Sequence, residues 1–253
     1  EKIRYQFDTV KPDFVIVSHA SNVFGLIAPV EDIFALAKKY EAITLVDMAQ
    51  TAGLVDLNVG LTTIDFAVFA GHKTLYGPTG ISGFVMNPSV KFPAVIFGGT
   101  GYESANQDMP EDLPQKYEMG TQDIAGIAGL NAALGWSAQV TIDAIRKKEA
   151  ENRKKLIDLL SRYSYIKIIG NYDSCNYVGI VSCIIEGISS DSAGPVFDRC
   201  GIAVRTGLQC APLAHQFMGT FPAGTIRFSV NYFTTDKDFA ELEQALDYID
   251  SEL

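Results

Sequence analysis

Short, nearly unbroken apolar runs alternate with amphipathic stretches in the first half of this chain. Residues 14–18, 43–46 and 66–69 are runs of four or five mostly apolar positions, the pattern of buried strands. Between the first two, Ile33, Leu36, Ala37 and Tyr40 recur at helical spacing. A helix is therefore predicted over 30–40, opened by Pro29, where a missing N–H costs nothing. Residues 83–86 predict one more strand, and 98–115, rich in Gly, Asn, Asp and Pro, predict a long loop. Helices are predicted over 124–139 and, highly charged, over 142–163. Apolar strands alternating with a helix imply an α/β fold whose sheet is mostly parallel and covered on both faces.

Beyond residue 163 the texture changes. Strands are predicted over 165–169, 178–185, 202–205 and 225–230, with a helix over 192–200. A last helix is capped by Thr234 or Thr235 and runs to the end. This predicts a large domain over 1–140 and a smaller α+β domain over 141–253. The chain opens on four polar and apolar residues that lead almost directly into the first strand-like run, so a further N-terminal segment is expected ahead of Glu1.

Of 253 residues, 47% are hydrophobic and 20% charged, and the net charge is -10. That balance speaks against a nucleic-acid backbone or an anionic membrane surface as partner. No apolar run approaches the ~18 residues of a membrane span, and no signal peptide is evident. The four cysteines, Cys175, Cys183, Cys200 and Cys210, show no C-x-x-C pair. A reducing, cytoplasmic setting is expected.

Three clusters stand at C-terminal ends of predicted strands, where open α/β sheets bind ligands. They are Ser18-His19-Ala20-Ser21-Asn22, Asp47-Met48-Ala49-Gln50 and Ala70-Gly71-His72-Lys73. Singly, an Asp at a strand end is commonly a turn residue, and a Lys after Gly-His a surface one. Together they supply what pyridoxal 5'-phosphate (PLP) chemistry needs. Lys73 offers an amine for a Schiff base. Asp47 offers a carboxylate for the pyridine nitrogen, and Gln50 a donor for the phenolic oxygen. His72 is placed for the phosphate. His19 either contacts the cofactor or packs beside it.

The runs Val46-Asp47-Met48-Ala49-Gln50, Asp65-Phe66 and Gly71-His72-Lys73-Thr74-Leu75-Tyr76-Gly77-Pro78-Thr79-Gly80 resemble the class V aminotransferase family. Its cysteine desulfurase and selenocysteine lyase branch is the nearest match. Ser21-Asn22, Gly98-Gly99, residues 118–121 and Arg227-Phe228-Ser229 with Asn231-Tyr232 extend the resemblance across the chain. It implies the PLP-dependent transferase fold, with its N-terminal part missing here, including a Gly-Thr phosphate loop and a ring that stacks on the cofactor. It also implies an obligate homodimer in which Thr121 reaches the phosphate of the neighbouring subunit. Asn22 would contact the ring side or substrate, and Arg227, with Arg205, would bind the substrate carboxylate bidentately. Cys210, after Arg205-Thr206-Gly207, would be the nucleophile that takes sulfur from cysteine or selenium from selenocysteine. Alanine is the product, and an acceptor protein would then be served.

The sequence departs from the family pattern in places. Ala70 replaces a phosphate-binding serine, whose charge-assisted hydrogen bond is worth about 1.5–3 kcal/mol. Leu208-Gln209 replaces a histidine pair. His215 could move protons or steady the loop, and the other three cysteines read as structural. Two alternatives stay open: an aminotransferase or other PLP lyase in which Cys210 is incidental, and an inactive interaction module.

Overall fold

The computed structural model describes residues 1–173 and 175–252. Its first half holds helix α1 (Lys2–Val10), strand β1 (Phe14–Ser18), helix α2 (Val30–Ala37), and strands β2 (Ile43–Asp47), β3 (Phe66–Ala70) and β4 (Ser82–Met86). They form one sheet in the order β1-β2-β3-β4, the first two pairings parallel and the last antiparallel. Val17, Val46 and Ala67 lie in register on one face, with Val15 on the same face, and they pack in one cluster with Phe34 and Ala37 of α2. Asp65 locks this layer: it accepts from the Thr44 amide at 2.8 Å and pairs with Lys38.

Cover on both faces was expected, and the structure corrects that. Phe14 and Ile16 of β1, on the face opposite α2, stay exposed, Ile16 by 64%. Phe84 and Val85 of the edge strand β4 are exposed as well. The segment before β1 is also helical rather than strand-like. Helix α1 buries none of its residues and touches the core mainly through Phe7, set edge-on to Tyr40. Ile3, Phe7 and Val10 do recur at helical spacing, but over only nine residues the pattern is short.

Helices α3 (Ile124–Val140) and α4 (Ile142–Leu160) meet at Thr141, which ends one and caps the other, accepting from the Ala144 amide at 3.3 Å. Asp123 caps α3 by accepting from Gly126 at 2.9 Å. The second half adds β5 (Ile166–Ile169), β6 (Ile180–Ile185), α5 (Ser190–Arg199), β7 (Arg205–Gly207), α6 (Pro212–Met218), β8 (Thr225–Ser229) and α7 (Asp236–Glu252). The sheet order is β5-β6-β8-β7, antiparallel throughout, which is the expected α+β unit. Leu156, Leu160, Val181, Phe197, Phe228 and Leu246 build its core.

The strand expected over 202–205 lies later. Ile202 and Val204 pack on the core from irregular chain, and pairing begins only at Arg205, opposite Arg227. Helix α6 was not foreseen, being only seven residues long. Thr235 precedes α7, and both its amide and its hydroxyl donate to the Asp238 carboxylate at 2.7 Å, so Asp238 reaches back to the position before the helix as the third residue of a capping box does.

What joins the two sheets also positions the site. Between β1 and α2 the chain crosses to the second sheet. The Val178 amide donates to Gly25 at 2.9 Å, and the Ser182 hydroxyl to Val23 at 2.5 Å. Gly25 has φ 71, and a Cβ there would lie 2.9 Å from the Ile180 carbonyl oxygen, so the crossing requires glycine. A third apolar cluster seals the junction with Ala20, Leu54, Ile145, Val178 and Ile180. Beside it, Trp136 stacks on Phe233 with centroids 5.2 Å apart.

Candidate active site

Two of the three strand-end clusters meet at one cleft, through Gln50, His72 and Lys73, while Asp47 and residues 18–22 do not line it. Asp47 ends β2, in register with Ser18 of β1 and Val68 of β3. One of its oxygens accepts from the Ala49 amide at 2.8 Å and holds the turn that leads to Gln50. Strand β3 ends at Ala70, and the next turn is tied back by Gly77 N–H to the Gly71 carbonyl at 2.7 Å. This loop presents His72 and Lys73, both exposed, at the mouth of a cleft of about 400 Å³. Gln50 and Arg227 face the same cleft.

Two residues that line the cleft each carry a buried polar atom without a hydrogen-bond partner, the Thr74 hydroxyl and the Arg227 Nε. Buried polar atoms of this kind are uncommon and call for a ligand or water. Burial, and then the Arg205 guanidinium, push the Arg227 pKa below its ordinary value, though an arginine keeps its charge. Arg205 and Arg227 face each other across β7 and β8.

Asn22 connects this cleft to the cysteine. Its carbonyl accepts from Arg227 Nη1 at 2.7 Å, and its side-chain amide donates to the Gln209 carbonyl at 2.7 Å. Cys210, the next residue, is exposed. Gln209 and Cys210 have φ of 43° and 60°, a left-handed pair costing about 1–2 kcal/mol per residue. Cys183 is fully buried and burial pushes its thiol up to about 12, which leaves almost no thiolate near neutrality. Cys175 is exposed and Cys200 half-buried.

Other candidates fall differently. Thr121 is exposed just before α3 and does not line the cleft. His19 is buried, and its Nδ1 lies 2.9 Å from the Thr51 hydroxyl, with burial holding its pKa below the ordinary value. His215 is fully buried within a network of Gln209 and Thr220, so it steadies this segment from inside.

Sequence reasoning missed Glu149. It lies on α4, 6% exposed, faces the cleft, and accepts from the Gly179 amide at 2.6 Å. The signal was there: Ile145, Glu149, Asn152 and Leu156 recur at spacings of four, three and four along the buried stripe of α4. Burial pushes its carboxyl up to about 7, partly opposed by the Gly179 hydrogen bond. In the unfolded chain the group titrates near 4.5. The folded protein therefore holds the proton more tightly between those values. Stability from this group is full below pH 4.5 and is lost as pH rises through 7, to the extent of about 3 kcal/mol. Glu149→Gln keeps an acceptor for Gly179 and cannot ionise. Its melting temperature at pH 8 is expected to exceed that of the unaltered protein by about 5–10 °C, with little difference at pH 4.5. A variant less stable at pH 8 would show that the carboxylate is instead compensated.

The model of the family described as aminotransferase class-V matches residues 5–242. A probable cysteine desulfurase of Halalkalibacterium halodurans is 34% identical over 242 residues, covering 94% of this chain and 58% of the relative. One of Methanothermobacter thermautotrophicus is 32% identical over 241 residues, covering 93% and 60%. The apo structure of a cysteine desulfurase from Thermococcus onnurineus superimposes with a TM-score of 0.83 at 26% identity, covering 95% of this chain and 60% of that one. The chain thus spans about three-fifths of the length of these relatives.

Proposed function

Because the chain belongs to the class V aminotransferase family, we propose that it forms the catalytic part of a PLP-dependent cysteine desulfurase. The observation that carries this reading is the continuous link from the Lys73 cleft through Arg227 and Asn22 to the exposed Cys210 turn. The residues present fit the cofactor, since an amine, an imidazole, a side-chain amide and a guanidinium, from Lys73, His72, Gln50 and Arg227, line one cleft.

PLP, when bound, supplies an electron sink that weakens bonds at the carbons of an amino acid. Lys73 would anchor it and then carry protons to and from the substrate carbon. Asp47 would serve the ring nitrogen and Gln50 the phenolic oxygen. His72 would hold the phosphate, joined by Thr121 of a neighbouring subunit. The unpartnered Thr74 hydroxyl is suited to replace the donor that Ala70 lacks. Arg227, with Arg205 beside it, takes the substrate carboxylate. The Cys210 thiolate attacks the substrate sulfur. The carbon–sulfur bond breaks, a proton takes the place of sulfur on carbon, and alanine leaves while the persulfide stays on Cys210. Selenocysteine is a second substrate of the same site, and a sulfur-acceptor protein would discharge the persulfide.

We further propose a boundary near residue 140, at the Thr141 turn between α3 and α4. A homodimer is supported by the exposed apolar side chains of Ile16, Val95, Phe97 and Ile124. Cytoplasmic residence fits the cysteine usage, and among the described residues no helix is long and apolar enough to cross a membrane.

The test is to supply PLP and cysteine and to measure alanine together with sulfur mass on the Cys210 peptide. Alanine formed without any sulfur on that peptide would overturn the reading. Within it, Arg227→Lys is expected to raise KM for cysteine roughly 10–100-fold, since an ammonium cannot make the forked contact. Steady-state kinetics at saturating cofactor would check this, and an unchanged KM would remove Arg227 from the carboxylate site.

A further inference from the structure

The backbone around Cys210 is a tight turn made from unsuitable residues. The Ala211 amide donates to the Leu208 carbonyl at 2.8 Å, and the two residues between, Gln209 and Cys210, both have positive φ. Such turns favour glycine and asparagine at these places. Something else must hold this one.

The side chain of Gln209 does so. It is 5% exposed and all four of its hydrogen-bonding positions are filled. Its Nε2 donates to the carbonyls of Thr225 at 3.0 Å and Arg205 at 3.3 Å, stitching the turn to β8 and β7. Its Oε1 accepts from His215 at 2.9 Å and from the Thr225 hydroxyl at 3.3 Å. Both amide protons being spent on carbonyls, Oε1 can only accept, so His215 carries its proton on Nε2. His215 Nδ1 then accepts from the Thr220 hydroxyl at 2.7 Å. Burial lowers the His215 pKa, which keeps the ring in this neutral form. On the outer side, Asn22 fixes the Gln209 carbonyl and is itself held by Arg227. Gly224 lets the frame close, because a Cβ there would lie 2.2 Å from the Gly207 carbonyl oxygen.

We propose that Gln209, backed by His215, is the positioning residue of sulfur transfer: it holds Cys210 in its left-handed turn and so sets where the thiol stands relative to Arg227. The proposal rests on the reading of Cys210 as sulfur acceptor. Gln209 touches no reacting atom, and His215 acts through Gln209 rather than as an acid or base.

Four full-length proteins separate the cases: the unaltered enzyme, Gln209→Leu, His215→Gln and His215→Asn, each loaded with PLP. Three quantities are read: the first-turnover rate of persulfide formation on Cys210, KM for cysteine, and hydrogen exchange at the Ala211 amide. Gln209→Leu is expected to slow persulfide formation and to speed Ala211 exchange, each by about tenfold or more, with KM within about twofold, as follows from removing a fully used buried amide. A glutamine at 215 can place a donor near the Nε2 position, whereas an asparagine is too short to reach it. His215→Gln is therefore expected to stay within about threefold of the unaltered rate, and His215→Asn to shift both rate and exchange in the direction of Gln209→Leu by about fivefold, since only the first keeps the hydrogen bond to Oε1. A merely structural role would lower melting temperature and both kinetic constants together, without this distinction, and would overturn the proposal. Loss of turnover in His215→Gln with Ala211 exchange unchanged would make His215 a proton carrier and overturn it too. An unaltered rate in Gln209→Leu despite faster exchange would overturn the positioning role alone. Absence of any Cys210 persulfide in the unaltered enzyme would overturn the desulfurase reading with it.

Discussion

Lys73→Ala is expected to reduce alanine production from cysteine by about 10³-fold or more, the scale of a lost proton-transfer group. Lys73 follows β3 at the strand end, faces the cleft with Arg227 and Gln50, and lies in a loop clamped by the hydrogen bond from Gly77 to Gly71. Replacement leaves that clamp in place, so melting temperature is expected to change little. Lys73→Arg should be equally inactive, because a guanidinium keeps its proton and cannot serve as a nucleophile. Borohydride reduction of the PLP-loaded protein should tag the Lys73 peptide in the unaltered chain and tag nothing in either variant. A tag on another lysine, or turnover within tenfold of normal in Lys73→Ala, would remove Lys73 from the centre of the site.

Cys210→Ala is the second large effect. Sulfur should no longer appear on the 210 peptide, and alanine formation should fall by about 10²–10⁴-fold, the range for a positioned group acting at the reacting bond. Cys175→Ala and Cys200→Ala should leave turnover within about twofold, as surface or packing positions outside the Asn22–Arg227 link. Cys183 is silent for a different reason: burial raises its pKa to about 12. If Cys210→Ala still forms alanine at the normal rate, with sulfide released to solvent, the site belongs to a lyase or aminotransferase in which this cysteine is incidental. The exposed place of Cys210 and the hydrogen bond from Asn22 to its neighbour favour the first outcome.

Charge placement explains why the candidate residues could be read and Glu149 could not. Lys73, Asp47, Gln50 and His72 each lie within a few residues of a strand end, and an apolar run of four or five residues marks that end in any sequence. Glu149 stands inside Arg146-Lys147-Lys148-Glu149-Ala150-Glu151, a charged stretch that looks like a solvated helix face. Only the periodicity of its neighbours places it on the buried stripe. Helices α1 and α6 were missed for a related reason. The first carries Ile3, Phe7 and Val10 at helical spacing but is only nine residues long and buries none of them, and the second is seven residues long with Leu213 and Phe217 exposed, so neither pattern is long enough to stand out.

Local patterning by itself determined the mixed α/β first half, the α+β second half, the start of the last helix after Thr235 and the strand-end place of Lys73. These depend on residues a few positions apart, where backbone geometry and periodicity act directly. Tertiary structure alone decided that Phe14 and Ile16 of β1 are exposed, that His215 is a buried strut, and that Arg227, Asn22 and the Cys210 turn form one unit. The bonds that make that unit span 205 and 187 residues. No spacing along a chain encodes contacts so distant, because they arise only when two independently patterned sheets pack and Gly25 lets the backbone cross between them.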